Sequence, residues 1–373
     1  SRRIETKMDA LTRKRTGSYY TDLELTDAMM RELVEHLKDK NPTKKLYDYR
    51  FLEPCVGAGN FVFSYIKAVK ATGINKENAK ILLDNLYVAD VNTDALNGYK
   101  ESLREISRVF WNIQLSEEYF EQHIGNGLLI DVTATEPVYI DINKIFPPEI
   151  VGNGFDIVVT NPPFKNLKAE RGHYGNKEEY YRDKDKYSAI SKIVKKRFRY
   201  STEGILNLYK LFAEEIIDQY ANETAFVSLL IPSSIMSDKM CTKLRTHILK
   251  DNKLISVKVI GEGSGYIDAQ QALSSIFLQK GSKTDKVTIV KDYCKNPGDI
   301  AEVTILNENT GNAIVAVFSK EYQILRKLRQ FPVVKELSFI TNLRGELDLT
   351  ANKHNIVHMN TGYPLIRGRN IGY

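Results

Sequence analysis

The chain has 373 residues, of which 42% are hydrophobic and 27% charged, with a net charge of +6. That length and apolar content support one large α/β domain with a real core plus the start of another, and no apolar run is long enough to span a bilayer. Cys55, Cys241 and Cys294 are widely separated and form no C-x-x-C pair, and the six histidines show no H-E-x-x-H spacing, so we expect reduced thiols, no metal and a cytoplasmic setting.

The chain opens without Met and without a charged and apolar leader, so its start reads as a processed or trimmed end. Thr16-Gly17-Ser18-Tyr19-Tyr20-Thr21-Asp22 precedes an amphipathic helix over Leu23–Leu37, which Thr or Asp would cap well. Tyr47–Leu52 then reads as a strand leading into Glu53-Pro54-Cys55-Val56-Gly57-Ala58-Gly59-Asn60-Phe61 and a helical run from Val62 to Val69. A glycine-containing turn between strand and helix lets backbone approach a ligand, and the helix N-terminus adds partial positive charge. The spacing is not the dinucleotide G-x-G-x-x-G, and an acid at the turn's entrance would repel a pyrophosphate, so a cationic cofactor fits better.

A helix over Lys76–Leu86 separates this unit from a second strand, Tyr87-Val88-Ala89, which ends at Asp90, a carboxylate suited to vicinal hydroxyls. Ile124-Gly125-Asn126-Gly127 is turn-forming. Phe155–Thr160 is a buried strand that stops at Asn161-Pro162-Pro163-Phe164, because proline cannot donate to a sheet ladder and restricts its predecessor. Asn161 is therefore expected at the strand's C-terminal edge, where open α/β sheets bind ligands. An amide, a fixed carbonyl and an aromatic face together suit a planar amine-bearing base.

Residues 165–200 carry twelve Lys/Arg against five Asp/Glu, a local surplus that exceeds the charge of the whole chain, interleaved with Tyr174, Tyr180, Tyr181, Tyr187, Phe198 and Tyr200. Such a segment beside the site points to nucleic acid, basic groups meeting phosphates and aromatics stacking on bases. Asn207–Glu214 reads as a core helix, and Ala225–Pro232, Leu254–Ile260 and Ala272–Gln279 as later strands. Gly261-Glu262-Gly263-Ser264-Gly265 lacks a following helix and a Lys-Ser/Thr pair, so it reads as a flexible connection rather than a phosphate loop.

In residues and order these motifs resemble the gamma-type N6-adenine DNA methyltransferases of type II restriction-modification systems, which use S-adenosyl-L-methionine. The resemblance covers nearly the whole chain and implies a Rossmann-like class I methyltransferase fold. That is an α/β architecture with a seven-stranded, mostly parallel sheet, an antiparallel last strand, and helices on both faces. It implies an N-terminal helical segment over 1–40, a catalytic domain over 41–330 with a DNA-facing insert at 165–205, and the truncated start of a target-recognition region at 331–373. Phe339–Glu346 and Tyr363–Asn370 resemble the opening of that region. Cofactor contacts are implied for Tyr20, Thr21, Glu53, Pro54, Gly57, Gly59, Asp90, Val91, Asn126 and Asn161; many relatives carry Asp where Asn126 stands. Asn161, Pro162, Pro163 and Phe164 are the implied catalytic tetrapeptide, and Lys165, Lys195, Lys196, Arg197, Arg199, Arg367 and Arg369 the implied DNA contacts.

The implied reaction flips an adenine out of double-stranded DNA and accepts its amine hydrogens on Asn161 Oδ1 and the Pro162 carbonyl. A restriction nuclease or a recognition domain is the implied partner, and no membrane is involved. A similar tetrapeptide also serves enzymes that methylate guanine amines in ribosomal RNA or a glutamine amide in release factors, and a noncatalytic DNA-specificity subunit is a further alternative.

Overall fold

A computed structural model describes residues 21–132, 138–265, 271–291, 293, 300–304 and 308–340. The helices, in chain order, are α1 (Leu23–Lys40), α2 (Asn60–Lys70), α3 (Lys76–Asp84), α4 (Thr93–Trp111), α5 (Glu117–His123), α6 (Pro148–Val151), α7 (Lys177–Arg197), α8 (Leu208–Glu215), α9 (Ser234–Ser237), α10 (Thr242–Asp251) and α11 (Ser319–Leu328). The strands are β1 (Phe51–Glu53), β2 (Leu86–Ala89), β3 (Ile124–Gly125), β4 (Leu129–Ile130), β5 (Tyr139–Ile140), β6 (Phe155–Thr160), β7 (Ala221–Pro232), β8 (Asn252–Ile260), β9 (Leu273–Lys280), β10 (Lys286–Val290) and β11 (Ile300–Thr304).

Local chemistry explains many of these boundaries. Asp22 caps α1 by accepting from the Glu24 amide at 2.8 Å, so the acid rather than a threonine starts that helix. Asn75, Asn92, Ser116, Asn176 and Asn207 cap α3, α4, α5, α7 and α8 in the same way. β1 is shorter than its apolar run suggested, because Leu46–Asp48 closes a tight helical turn before it. β6 begins and ends where the sequence placed it.

The main sheet has the order β11-β10-β8-β9-β7-β6-β1-β2-β3. β3, β2, β1, β6 and β7 run parallel, and β9 is antiparallel to both β7 and β8. These seven strands are the mostly parallel sheet with an antiparallel last strand expected above. The sheet goes further than expected: β10 adds in parallel to β8, and β11 pairs antiparallel with β10, making nine. Val287, Ile289, Ala301 and Val303 are buried on this extension, so its alternating apolar residues extend the core. A separate antiparallel pair joins β4 and β5.

Among the described residues two apolar clusters make up the core, and the alternation of β6 divides its residues between them. Ile157 and Val159 belong to the cluster containing α1, α2 and α3, whereas Val158 belongs to the one containing α7, α8 and α10. Helices therefore cover both faces. Arg245 is buried within α10, where its guanidinium donates to the carbonyls of Gly311, Ile235 and Asp238; these bonds compensate its desolvation. The described residues up to 322 form one unit, and those from 323 to 340 belong to a second. In the second, the Val334–Glu336 turn is closed by Glu336, whose carboxylate accepts from the Val333 amide at 3.1 Å.

His247 makes one further core tie. Nε2 contacts Asp218 at 2.8 Å, Nδ1 contacts Asp251 at 2.7 Å, and the ring stacks on Tyr200 at 4.0 Å. Burial alone would lower its pKa, but the two carboxylates outweigh burial and hold it above 6.5. A raised folded-state pKa gives stability that is complete below the unfolded value and lost as pH rises through the folded one. The melting-temperature gap between wild type and His247→Gln should therefore be widest below pH 6.5 and narrow on the alkaline side. A gap that stays flat or widens with pH would contradict this.

Candidate active site

The site begins with the turn after β1. Parallel pairing sets Phe51 against Leu86 on one side and against Ile157 on the other, so the C-terminal ends of β1, β2 and β6 meet at one sheet edge. The turn is tied across that edge: Val56 donates to the Ala89 carbonyl at 2.9 Å, and the Gly57 amide to Asp90 Oδ2 at 2.8 Å. Gly57 (φ 50°) and Gly59 (φ 84°) adopt left-handed conformations that residues with a Cβ resist. At Gly59 a Cβ would also sit 2.6 Å from the Tyr99 ring, so close packing of α2 against α4 requires glycine there.

Asp90 Oδ1 accepts from the Asn92 amide at 2.9 Å. Burial raises its pKa, and the amides of Asn92, Gly57 and Val91 pull it back. Glu53 is fully buried, and its Oε2 has no hydrogen-bond partner among the described residues. Burial pushes its carboxyl well above the ordinary range; the Val62 amide opposes this and the Asp90 charge adds to it. A small recess of about 30 Å³ lies here, lined by the turn, by Asn60 and Phe61 of α2, by Thr21 and by Asn161.

Asn161 follows β6 directly, and its Nδ2 donates to Thr21 Oγ1 at 3.0 Å. Pro162 is buried, while Pro163 and Phe164 are partly exposed. The Phe164 ring meets Tyr209 of α8 edge to face at 6.5 Å. Two residues further on, Asn166 and Asn207 form an isolated antiparallel bridge, reinforced by Leu208 N to Lys165 O at 2.9 Å. The start of α8 is thus fastened to the chain leaving the tetrapeptide.

The end of α8 is fastened to the basic segment. Buried Glu214 accepts from the amides of Arg199, Tyr200 and Ser201 and from the Ser201 hydroxyl, at 2.5 to 3.1 Å. These four bonds replace the solvent that a buried carboxylate loses. Glu215 pairs with Arg197 at 2.8 Å and accepts from the Tyr139 hydroxyl, and the Arg197 guanidinium lies 3.8 Å over the Tyr139 ring. The segment read from sequence as a basic insert is largely the helix α7, with Tyr187, Ile190 and Val194 buried and Lys195 and Lys196 exposed.

The fold therefore brings Thr21, Glu53, Pro54, Gly57, Gly59, Asp90, Val91, Asn126 and Asn161 to the same sheet edge. Asn126 is exposed in the turn after β3, beside Asp90, whose amide donates to Gly125 O at 3.2 Å, and Val91 is 45% exposed. Lys165 lies 5.9 Å from the Tyr187 ring, and Arg199 is exposed at the end of the basic segment. Tyr20, with most of the Thr16–Asp22 motif, Cys294, Arg367 and Arg369 lie outside the described residues. Among the described residues no cluster of three or more His, Cys, Asp or Glu is placed to hold a metal, and no helix is long and apolar enough to cross a membrane.

Sequence reading missed Tyr209 as a neighbour of Phe164, and missed the anchoring by Glu214 and Glu215. Tyr209 had a signal, its place next to apolar positions at the start of a core helix. The adjacent acids had none, because their partners are backbone amides and groups in other elements.

By sequence, no curated protein matches the chain. Solved structures do match in fold. A DrdV–DNA complex aligns at 15% identity with a TM-score of 0.60, covering 82% of this chain and 32% of that one. A nuclease-deletion mutant of the Type ISP restriction-modification enzyme LlaGI, in complex with a DNA substrate mimic, aligns at 13% identity and TM-score 0.57, covering 79% and 27%. The ATP-dependent Type ISP restriction-modification enzyme LlaBIII, bound to DNA, aligns at 12% and 0.54, covering 78% and 22%. At such identities the likeness is one of fold, and this chain spans about a third or less of those proteins. The family described as Eco57I restriction-modification methylase matches residues 74–264, just over half of the 373, including Asp90, Asn126, the tetrapeptide, α7 and α8. The chain belongs to the Eco57I restriction-modification methylase family.

Proposed function

We propose that this chain is the catalytic part of a DNA methyltransferase that moves a methyl group from S-adenosyl-L-methionine to the N6 amine of an adenine flipped out of duplex DNA. The observation that carries the reading is that Asn161 lines the same recess as the Glu53-to-Phe61 turn, so that an amine acceptor and a cofactor would share one space. Residues 331–373 would begin a target-recognition region, and a restriction nuclease or specificity partner would complete the system.

The residues present fit the cofactor. Buried Glu53 Oε2 has no partner among the described residues, which suits a ligand donor, and a positive ligand would return the Glu53 carboxyl to its ionised form. Asp90 is held by backbone amides with each oxygen able to accept again, which suits ribose hydroxyls. Bound there, the cofactor supplies a methyl group on a positively charged sulfur that departs neutral.

The chain's own work is positioning. The adenine amine is a poor nucleophile because its lone pair is delocalised into the ring. Asn161 Oδ1 and the Pro162 carbonyl would accept its hydrogens, favouring a tetrahedral nitrogen, and Phe164 would stack on the base. The amine gains a bond to carbon and becomes cationic, after which its proton leaves to solvent, so no strong general base is needed. Lys165 and the exposed Lys195 and Lys196 would neutralise phosphates. Arg197 is already engaged by Glu215 and Tyr139, so its share is smaller than its sequence suggested.

Unmethylated duplex DNA, ribosomal RNA and a release factor, offered to the full-length protein with isotopically labelled cofactor, test the substrate. N6-methyladenine in DNA is expected; label on guanine or glutamine instead would replace the substrate, and no label anywhere would overturn the reading. Asn161→Ala should lower turnover by about 100-fold or more while leaving cofactor affinity in place, and unchanged turnover would remove Asn161 from the chemistry. Replacing Lys195 and Lys196 with Ala together should weaken DNA binding uniformly across sequences and reduce its log-salt slope by about 2. An unaltered slope would take α7 off the DNA.

A further inference from the structure

We infer that Thr21 acts on Asn161 rather than on the cofactor, as a positioning residue that holds the amide in its working rotamer. This rests on the role proposed for Asn161. The resemblance of the N-terminal motif implies a cofactor contact for Thr21, but the structure gives its hydroxyl another partner. Thr21 is buried, and its Oγ1 accepts from Asn161 Nδ2 at 3.0 Å across 140 residues of sequence. Its carbonyl accepts from Asn60 Nδ2 at 2.6 Å, so its backbone is pinned to the first residue of α2. Asp22, the next residue, caps α1. Thr21 is thereby fixed between two helix starts while its side chain reaches the end of β6.

The consequence is chemical. An asparagine amide has nearly the same shape whichever way its nitrogen and oxygen point, but the two orientations present a donor or an acceptor. The torsion that exchanges them is broad, so packing selects between them weakly. With Nδ2 committed to Thr21, the acceptor Oδ1 faces away from Thr21. A substrate amine needs that acceptor; the reversed amide would set donor against donor. Thr21 would therefore govern catalytic turnover through orientation and leave cofactor affinity nearly untouched.

The test compares Thr21→Val, which keeps shape and removes the hydroxyl, with Thr21→Ser, which keeps the hydroxyl, in the full-length protein. Steady-state turnover on DNA is measured beside cofactor affinity by titration calorimetry. Thr21→Val should lower kcat by about 10- to 100-fold with cofactor Kd changed by less than about twofold, and Thr21→Ser should recover most of the lost turnover. Thr21→Ala makes the same comparison should Val at this position impair folding. A raised Kd at unchanged kcat would return Thr21 to cofactor binding, and equal loss in Ser and Val would make its role one of packing; either overturns the inference. If Asn161→Ala itself left turnover intact, the underlying reading would fail separately.

Discussion

β1 is paired in parallel on both sides, and the site is built on that constraint. Because Phe51 and Leu52 are held in register with β2 and β6 at once, three chain reversals are forced to the same edge. One is the glycine turn, one the acid after β2, and one the Pro-Pro stop after β6. The bonds from Val56 to Ala89 and from Gly57 to Asp90 then fix the first two against each other. A one-residue slip of β1 would turn its buried side chains to the other face and part the Gly57 amide from Asp90.

A second layer of order comes from α8. Its first turn is bridged to the residues that follow the tetrapeptide, and its last carries Glu214 and Glu215, which hold the far end of the basic segment. One short buried helix thus spans from the aromatic wall of the site to the proposed DNA-facing lysines. A buried carboxylate satisfied by backbone amides resists displacement because every lost bond leaves a desolvated charge. We therefore regard the basic segment as a fixed surface rather than a loop that gathers on binding.

Much of this architecture was legible in the chain. β6 was bounded correctly because an unbroken apolar run met two prolines, and the second strand was found from its apolar residues and terminal acid. The antiparallel placement of β9 followed the family resemblance. β10 and β11 were not foreseen; each is five residues long, and they lie beyond the expected end of the sheet. The insert was read by its charge, whereas its helix depends on the Asn176 cap and on Tyr187, Ile190 and Val194 spaced along one face. Contacts such as Thr21 with Asn161, or Glu214 with three successive amides, depend on tertiary proximity that no local pattern encodes.

The central claim is that the recess between the glycine turn and Asn161 holds the methyl donor within reach of a base. A crystal structure of the full-length protein with the demethylated cofactor product bound tests this most directly. The account predicts the product in this recess, its ribose hydroxyls on Asp90 and its amino-acid end near Glu53, with Asn161 beside the sulfur. Product bound elsewhere, or a recess that stays closed at saturating concentration, would contradict it.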